Sequence, residues 1–276
     1  MPLTQEYNRY TPDFTLCILG IIFFTLAFLA HSLQVWYYRL WTFSPLAFAC
    51  LMEIIGYIFR TLSSRKDPYR ITFFVVEYFL IVTAPVLISA SIYVCLTKLI
   101  TWAESEGTDI SSRSRFLKRN FILWTFISID VVTTIMQVTG AGMIGGATSK
   151  QKDPTTANNV LLAGLATQTA AFAIFLILLT VVTFAICGNK HLIKKMRRKK
   201  SPFLAVLPIA SVLVFVRTIF RLVETSQGVF GYLSTHEGFF AGLEFAPVVV
   251  AVWLLAIWHP GRWMSHVASQ RKSSGL

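Results

Sequence analysis

The sequence predicts an all-α membrane protein, a bundle of seven transmembrane helices forming one domain over residues 1–276. Composition is the first observation: 55% of the 276 residues are hydrophobic and 14% are charged, whereas a soluble domain carries about a quarter charged residues. Seven apolar runs each hold about twenty or more residues, enough for a helix to cross about 30 Å of hydrocarbon. The runs lack the alternation of barrel strands, and a backbone without water must then be helical.

The seven predicted helices follow one another with short connections. They lie near residues 14–37, 43–62, 70–100, 119–145, 158–187, 203–226 and 237–259. The longest predicted loop is the polar stretch 101–118, and residues 260–276 form a basic tail. Pro85, Pro208 and Pro247 fall inside predicted helices, where each proline removes a backbone hydrogen bond and permits a kink.

The distribution of basic residues predicts how the bundle is oriented. The net charge is +12. With the N-terminus outside, sixteen Lys and Arg residues lie on the inner side, seven lie on the outer side, and Arg217 and Arg221 lie within a helix. The positive-inside rule therefore predicts the N-terminus outside and the C-terminus inside. We expect no nucleic-acid partner, and the basic cluster Lys194–Lys200 predicts a contact with anionic lipid of the inner leaflet.

Several motifs of enzymes occur in the sequence without the context that their chemistry needs. GAGMIG (residues 140–145) matches G-x-G-x-x-G, but a membrane helix precedes it where a dinucleotide site needs a strand. Its small residues predict close helix packing instead. The pair His236 and Glu237 begins a zinc-protease motif that lacks the second histidine. Cys17, Cys50, Cys95 and Cys187 lack metal-ligand spacing and are expected to be buried thiols. We therefore predict no catalytic residue, no metal and no cofactor.

Polar residues within the predicted helices are the candidate ligand-binding site. They are Glu53, Arg60, Glu77, Asp130, Gln137, Gln168, Arg217, Arg221, Glu224, Glu237 and Glu244. Four helices carry two of them seven residues apart, a spacing that places both on one helical face about 10 Å apart. A charge at the bilayer centre costs about 3 kcal/mol. These groups must therefore pair, protonate or face water. His31 and His259 are expected to be structural.

Two interpretations of this set stay open at the level of sequence. The charges either form a buried ion network that fixes helix register, or they line a polar cavity that opens toward the outer leaflet. Three arginines face six carboxylates in the set, which leaves three carboxylates in excess. Each surplus carboxylate is protonated, exposed to water or matched by a cationic ligand. In a bundle rich in Phe, the fitting ligand is an amphiphile with a protonated amine.

Six sequence blocks, in order along the chain, resemble the fungal RTA-like family of heptahelical membrane proteins, also called lipid-translocating exporters. The blocks are AHSLQVW, EIIGYIFR, APVLISASIY, IDVVTTIMQVTGAG, GLATQTAAFAIF and VRTIFRLVETSQGVFGYLSTHEG, followed by HPG at 259–261. The chain departs from the family pattern at three positions. Glu77 stands where a glutamine is expected, Glu244 where an aspartate is expected, and Gly238 interrupts an aromatic pair.

The resemblance implies a function in the transport or export of amphiphilic lipids, which confers resistance to them. The implied ligands are sphingoid bases and sterol-like or drug-like amphiphiles. An alternative is a seven-helix lipid sensor or receptor that acts through cytoplasmic partners. The implied location is the plasma membrane, with internal membranes as the alternative, and the oligomeric state stays open.

Overall fold

The structure is a computed structural model that describes residues 13–65, 71–106, 119–150, 152–198, 202–228, 231–259 and 261. Seven helices in it are long and apolar enough to cross a membrane, and no strand occurs in the described residues. The helices are α1 (Phe14–Tyr38), α2 (Ser44–Arg65), α3 (Ile71–Ser105), α4 (Arg119–Ser149), α5 (Thr155–Gly188), α6 (Phe203–Ser226) and α7 (Glu237–Ile257). The predicted all-α, seven-span fold is confirmed. The predicted loop 101–118 is shorter than expected because α3 continues to Ser105.

The seven helices form a closed ring with α3 partly inside it. Each helix packs against the next one in the chain, and α7 packs against α1 to close the ring. α3 also contacts α6 across the bundle and is the most enclosed span. One end of the bundle holds the start of α1 and the end of α2, and we call it the N-terminal end. The opposite end holds the end of α7 and is called the C-terminal end.

α7 changes its helical form along its length. It begins with the turn Glu237–Phe239, continues as a π-helix over Phe240–Phe245 and becomes α-helical over Ala246–Ile257. Pro247 follows the π-helical segment and has no N–H to donate back into it. π-Helical turns are rare and occur frequently at functional sites. This turn brings Glu244 into the bundle interior, where the side chain is 2% exposed.

Glycines of α4 and α5 allow these two helices to approach each other closely. A Cβ at Gly140 would lie 2.7 Å from the backbone nitrogen of Leu161, and a Cβ at Gly164 would lie 3.0 Å from Cγ of Gln137. The expectation that GAGMIG serves helix packing is therefore confirmed for Gly140. Gly142 differs, since a Cβ there would meet nothing within 4 Å.

Polar contacts join α1 and α7 at the C-terminal end. His31 Nε2 lies 3.2 Å from the carbonyl oxygen of Val252, and Gln34 donates a hydrogen bond to the carbonyl of Ala256 at 2.8 Å. The His259 ring stacks on Tyr38 with 5.6 Å between centroids. Both histidines are buried. This arrangement agrees with the structural role expected for them.

Basic residues follow α5 in a short helix, Lys190–Arg198. Leu192 of this helix is buried against the bundle, while Lys194 is exposed. Lys199 and Lys200 lie outside the described residues, as does the predicted tail apart from Gly261. The contact of Lys194–Lys200 with anionic lipid stays a prediction.

The four cysteines differ in exposure, which corrects one expectation. Cys17, Cys50 and Cys95 are buried thiols as predicted, but Cys187 is exposed. It follows the buried Ile186 at the end of α5, one residue before the helix ends at Gly188. At that position its side chain points away from the bundle near the start of the basic helix.

Cys187 provides a direct test of the predicted orientation. A membrane-impermeant maleimide should leave the protein unlabelled in intact cells, because the positive-inside rule places Cys187 on the inner side. The same reagent should label this cysteine after the cells are permeabilised, as shown by peptide mass spectrometry. Cys187→Ser is the control and should abolish the signal, since the other three thiols are buried. Labelling of intact cells would show that the orientation is the opposite of the predicted one.

Candidate polar site

The structure divides the eleven predicted site residues into two ion groups, an amide pair and a separate aspartate. Nine of the eleven are buried, and Glu224 and Glu237 are half-buried. The first ion group contains Arg60, Glu77 and Glu237. The second contains Arg217, Arg221, Glu224 and Glu244, with Glu53 interacting electrostatically with it. Gln137 and Gln168 form the amide pair, and Asp130 is the separate aspartate.

In the first ion group, Arg60 of α2 joins two neighbouring helices. Its Nη1 lies 2.6 Å from Oε1 of Glu77 on α3, and its Nη2 lies 3.0 Å from Oε1 of Glu237 on α7. The guanidinium carbon lies 3.9 Å from the centroid of the Phe240 ring, which places the cation over an aromatic face. Glu77, the acidic replacement of an expected glutamine, thus supplies one of the two carboxylates bound to Arg60.

In the second ion group, Glu244 is shared by the two arginines of α6. Its Oε1 accepts hydrogen bonds from Arg217 Nη2 at 2.7 Å and Nε at 3.1 Å. The same oxygen lies 3.1 Å from Nε of Arg221. Arg221 also donates to Glu224, one helical turn along, at 2.8 Å. The sequence required a carboxylate from another helix for two adjacent cations, and Glu244 fills that role.

Arg217 is held by a backbone acceptor as well as by a carboxylate. Its Nη2 donates to the carbonyl oxygen of Ile81 on α3 at 3.0 Å. In a regular helix this carbonyl would accept from the N–H of the residue four positions later, which is Pro85 and has none. The proline therefore leaves an acceptor inside the bundle, and the arginine of α6 occupies it.

Glu53 and Asp130 are buried acids that the arginines leave unpaired. Each residue is 3% exposed. Within the described part of the chain, neither forms an ion pair, and Oδ2 of Asp130 has no hydrogen-bond partner. The Tyr93 hydroxyl lies near the Asp130 carboxyl and also has no hydrogen-bond partner in the described residues. The three arginines are thus paired with four carboxylates, those of Glu77, Glu237, Glu224 and Glu244. Glu53 and Asp130 are therefore two of the three carboxylates that the sequence predicts to be in excess.

Aromatic rings surround the region of Asp130. Tyr93 packs against Phe175 with 4.5 Å between ring centroids, against Phe126 with 5.5 Å and against Phe172 with 6.1 Å. The faces of such rings attract cations. Asp130 thus lies next to a tyrosine that belongs to a buried aromatic cluster.

The two glutamines hydrogen-bond to each other across the α4–α5 contact. Gln137 Nε2 donates to Gln168 Oε1 at 2.7 Å, and both side chains are buried. This pair lies beside the small residue Gly164, which allows α4 to approach α5 at this level. The amide pair satisfies polar groups that would otherwise be costly inside a membrane bundle.

A cavity of about 220 Å³ lies beside the ion groups, between α3 and α4. It is lined by Val76, Tyr78, Phe79, Val82, Gln137, Val138, Ala141 and Gly142. Most of these side chains are apolar, and Gln137 is the predicted site residue among them. A polar cavity opening among the charged groups, as one interpretation of the sequence expected, stays a prediction.

Sequence reasoning missed several groups that complete the site. Phe240 lies under Arg60, and the Tyr78 ring lies 5.4 Å from the guanidinium carbon of Arg221. Tyr93 interacts with Asp130, and Ile81 supplies its carbonyl. The role of the Ile81 carbonyl could have been predicted from Pro85. A proline inside a helix has no N–H, so the carbonyl four residues before it lacks its helical hydrogen-bond donor. The two arginine–aromatic contacts depend on how each helix is rotated about its axis, which could not be predicted from the sequence.

No group of three or more His, Cys, Asp or Glu side chains could hold a metal ion in the residues that the structure describes. The members of the two ion groups are instead paired with one another across α2, α3, α6 and α7.

The fold and the site define an integral, multi-pass membrane protein with ionisable groups in the bundle interior. Such groups inside membrane spans mark pathways for substrates or ions. Residues 46–266 match the family described as RTA1 like protein. The chain belongs to the RTA1-like family.

Three of the relatives are yeast proteins. The chain is 30% identical to the Sphingoid long-chain base transporter RSB1 of Saccharomyces cerevisiae (strain Lalvin EC1118 / Prise de mousse), with 92% of this chain and 73% of that protein covered. It is 31% identical to Protein RTM1 of Saccharomyces cerevisiae, covering 76% and 64%. It is 30% identical to Protoporphyrin uptake protein 1 of Saccharomyces cerevisiae (strain ATCC 204508 / S288c), covering 76% and 66%. No solved structure matches the chain.

Proposed function

We propose that this protein moves single-chain amphiphiles with a protonated amine, the chemical class of the sphingoid bases, across the membrane and so confers resistance to them. The observation that carries the proposal is the pair of buried acids, Glu53 and Asp130, that form no ion pair within the described residues. A bound ammonium group would compensate one of these charges where solvent cannot. The site would thus favour a cation over a neutral or anionic lipid.

The relatives support this ligand class over the alternatives. One relative is named as a sphingoid long-chain base transporter, and a sphingoid base has one amine and one long alkyl chain. Another is named for protoporphyrin uptake, but protoporphyrin carries carboxylates that the excess acidic groups of this chain would repel. The proposal includes no catalytic step. The plasma membrane, with the N-terminal end of the bundle outside, is the proposed location.

Asp130 is the residue at which the amine is expected to bind. Its carboxyl has an oxygen without a hydrogen-bond partner in the described residues, and it lies next to Tyr93 of the buried aromatic cluster. Glu53 lies at the second ion group, where Glu244 already binds both arginines. Glu53 would be the second acid available to the amine.

The test is reconstitution of the purified protein in liposomes with a fluorescent sphingosine. The parent protein is expected to move the probe between leaflets, and Asp130→Asn and Glu53→Gln should each slow this movement about tenfold or more, the factor that 1.4 kcal/mol represents. Glu104→Gln is the matched control. It removes a carboxylate from α3 near the C-terminal end of the bundle, outside the candidate site, and should leave the rate unchanged.

The outcomes separate the proposal from its rivals. Binding of the probe without movement between leaflets would support the lipid sensor instead. If Asp130→Asn and Glu53→Gln alter only the thermal stability while movement is unchanged, the acids belong to a structural network and the proposal is wrong. Thermal unfolding of every variant is measured alongside, so that loss of fold is not taken for loss of transport.

A further inference from the structure

The cavity between α3 and α4 is built from matching stripes of the two helices. α3 contributes Val76, Phe79 and Val82, which recur every three residues and so share one face. α4 contributes residues 137, 138, 141 and 142, a stripe with the helical repeat of four. All of these residues lie within the parts of α3 and α4 that are apolar enough to cross a membrane. The cavity is therefore at membrane depth.

The mouth of the cavity faces the membrane rather than water. Phe79 at its rim is 40% exposed, and the neighbouring Met143 is 45% exposed. On the same outer surface of α4, Ile135 is 61% exposed. Exposed apolar side chains on a membrane span lie against lipid tails. Whatever enters the cavity through this mouth comes from the hydrocarbon layer.

On the inner side of the cavity, one side chain, Tyr78, lies between the cavity and the second ion group. Tyr78 lines the cavity, and its ring lies 5.4 Å from the guanidinium carbon of Arg221 in the second ion group. Gln137 also lines the cavity, and its side-chain amide donates a hydrogen bond to Gln168 of α5. An apolar chain held here would thus lie one side chain away from the second ion group.

We infer that this cavity holds the alkyl chain of the transported amphiphile, which enters sideways from the membrane between α3 and α4. The inference rests on the proposed function and adds the route of entry and the shape of the ligand. A volume of about 220 Å³ is below the roughly 300–1,000 Å³ of sites for drug-sized molecules. A segment of one alkyl chain fits a space of this size, whereas the fused-ring bodies of sterols and porphyrins need a larger one.

The first test locates the chain directly in the parent protein. Sphingosine carrying a diazirine in its alkyl chain is added to the protein in phosphatidylcholine liposomes, and the photolabelled peptides are identified by mass spectrometry. Labels are expected within residues 76–82 and 137–142. Excess unlabelled sphingosine should remove the label, whereas additional phosphatidylcholine should not. Labels confined to other helices, or removed by phosphatidylcholine alone, would overturn the inference.

The second test fills the cavity at a position that tolerates a side chain. A Cβ at Gly142 would meet nothing within 4 Å, so the side chain of Gly142→Phe or Gly142→Leu starts in open space at the cavity. Either variant should reduce labelling and leaflet-to-leaflet movement of sphingosine about tenfold. Gly146→Phe is the matched control, because Gly146 lies one turn further along α4, also meets nothing within 4 Å and does not line the cavity.

The two proposals fail in different ways. If the parent protein moves sphingosine but Gly142→Phe and Gly146→Phe behave alike, the route between α3 and α4 is wrong and the transport function stands. If the parent moves no sphingosine and Asp130→Asn changes nothing, the transport function is wrong, whatever the photolabel marks. A sphingosine label in the cavity would then still identify a chain-binding site.

Discussion

Replacement of Glu244 by alanine is expected to destabilise the folded protein by about 3–5 kcal/mol, the cost of leaving one partner of a buried ion pair without the other. Glu244 Oε1 receives two hydrogen bonds from Arg217 and lies 3.1 Å from Nε of Arg221. Arg221 retains Glu224, but Arg217 would retain only the Ile81 carbonyl. The measurement is thermal unfolding of the purified protein in detergent.

Two further variants separate charge from packing at this position. Glu244→Gln keeps an acceptor oxygen and should cost less than Glu244→Ala. The double variant Arg217→Met with Glu244→Leu should recover much of the lost stability, because apolar residues of similar volume replace a buried pair at little cost. A double variant no more stable than Glu244→Ala would show that the ion pair is not the source of the loss.

Gly140→Ala is expected to destabilise the protein by about 1–3 kcal/mol, the usual cost of overpacking. The added methyl group would lie 2.7 Å from the backbone nitrogen of Leu161 and 3.0 Å from its Cα. Because the nearest atom belongs to the backbone, no change of the Leu161 side chain can relieve the contact. The helices α4 and α5 would have to separate, which would also strain the hydrogen bond between Gln137 and Gln168.

Gly146→Ala is the matched control for this substitution. It adds the same methyl group to the same helix where nothing lies within 4 Å. Both variants gain the helix propensity of alanine over glycine, about 1 kcal/mol. The difference between their unfolding temperatures therefore measures the helix contact alone. Equal temperatures would show that α4 and α5 are not as close as the structure places them.

The spans could be predicted from sequence because membrane hydrocarbon imposes one requirement everywhere, a helix of about twenty apolar residues. Helix ends were harder to predict. α3 continues to Ser105, past the predicted boundary at residue 100, because polar residues such as Glu104 are tolerated in a helix that has reached the membrane surface. The π-helical segment Phe240–Phe245 was not predicted, since apolar composition is the same in either helical form.

The members of the polar site could be predicted, but their partners could not. Burial cost singles out a charged or amide side chain in an apolar run, and nine of the eleven side chains selected in this way are buried. Partners depend on which helices are neighbours and how each is rotated. Seven-residue spacing predicts two layers about 10 Å apart on one face. Glu237 and Glu244 do belong to different ion groups. The pairing of Glu77 with Arg60, in the same group as Glu237, could be learned only from the structure.

The contact of Arg217 with the Ile81 carbonyl bears on how the family can vary. This hydrogen bond to the backbone can form with any amino acid at position 81, since every residue has the same carbonyl group. Selection can therefore alter the side chains of α3 while α6 stays hydrogen-bonded to its backbone. The exception is Pro85, whose replacement would return an N–H to α3 and set two donors in competition for one oxygen.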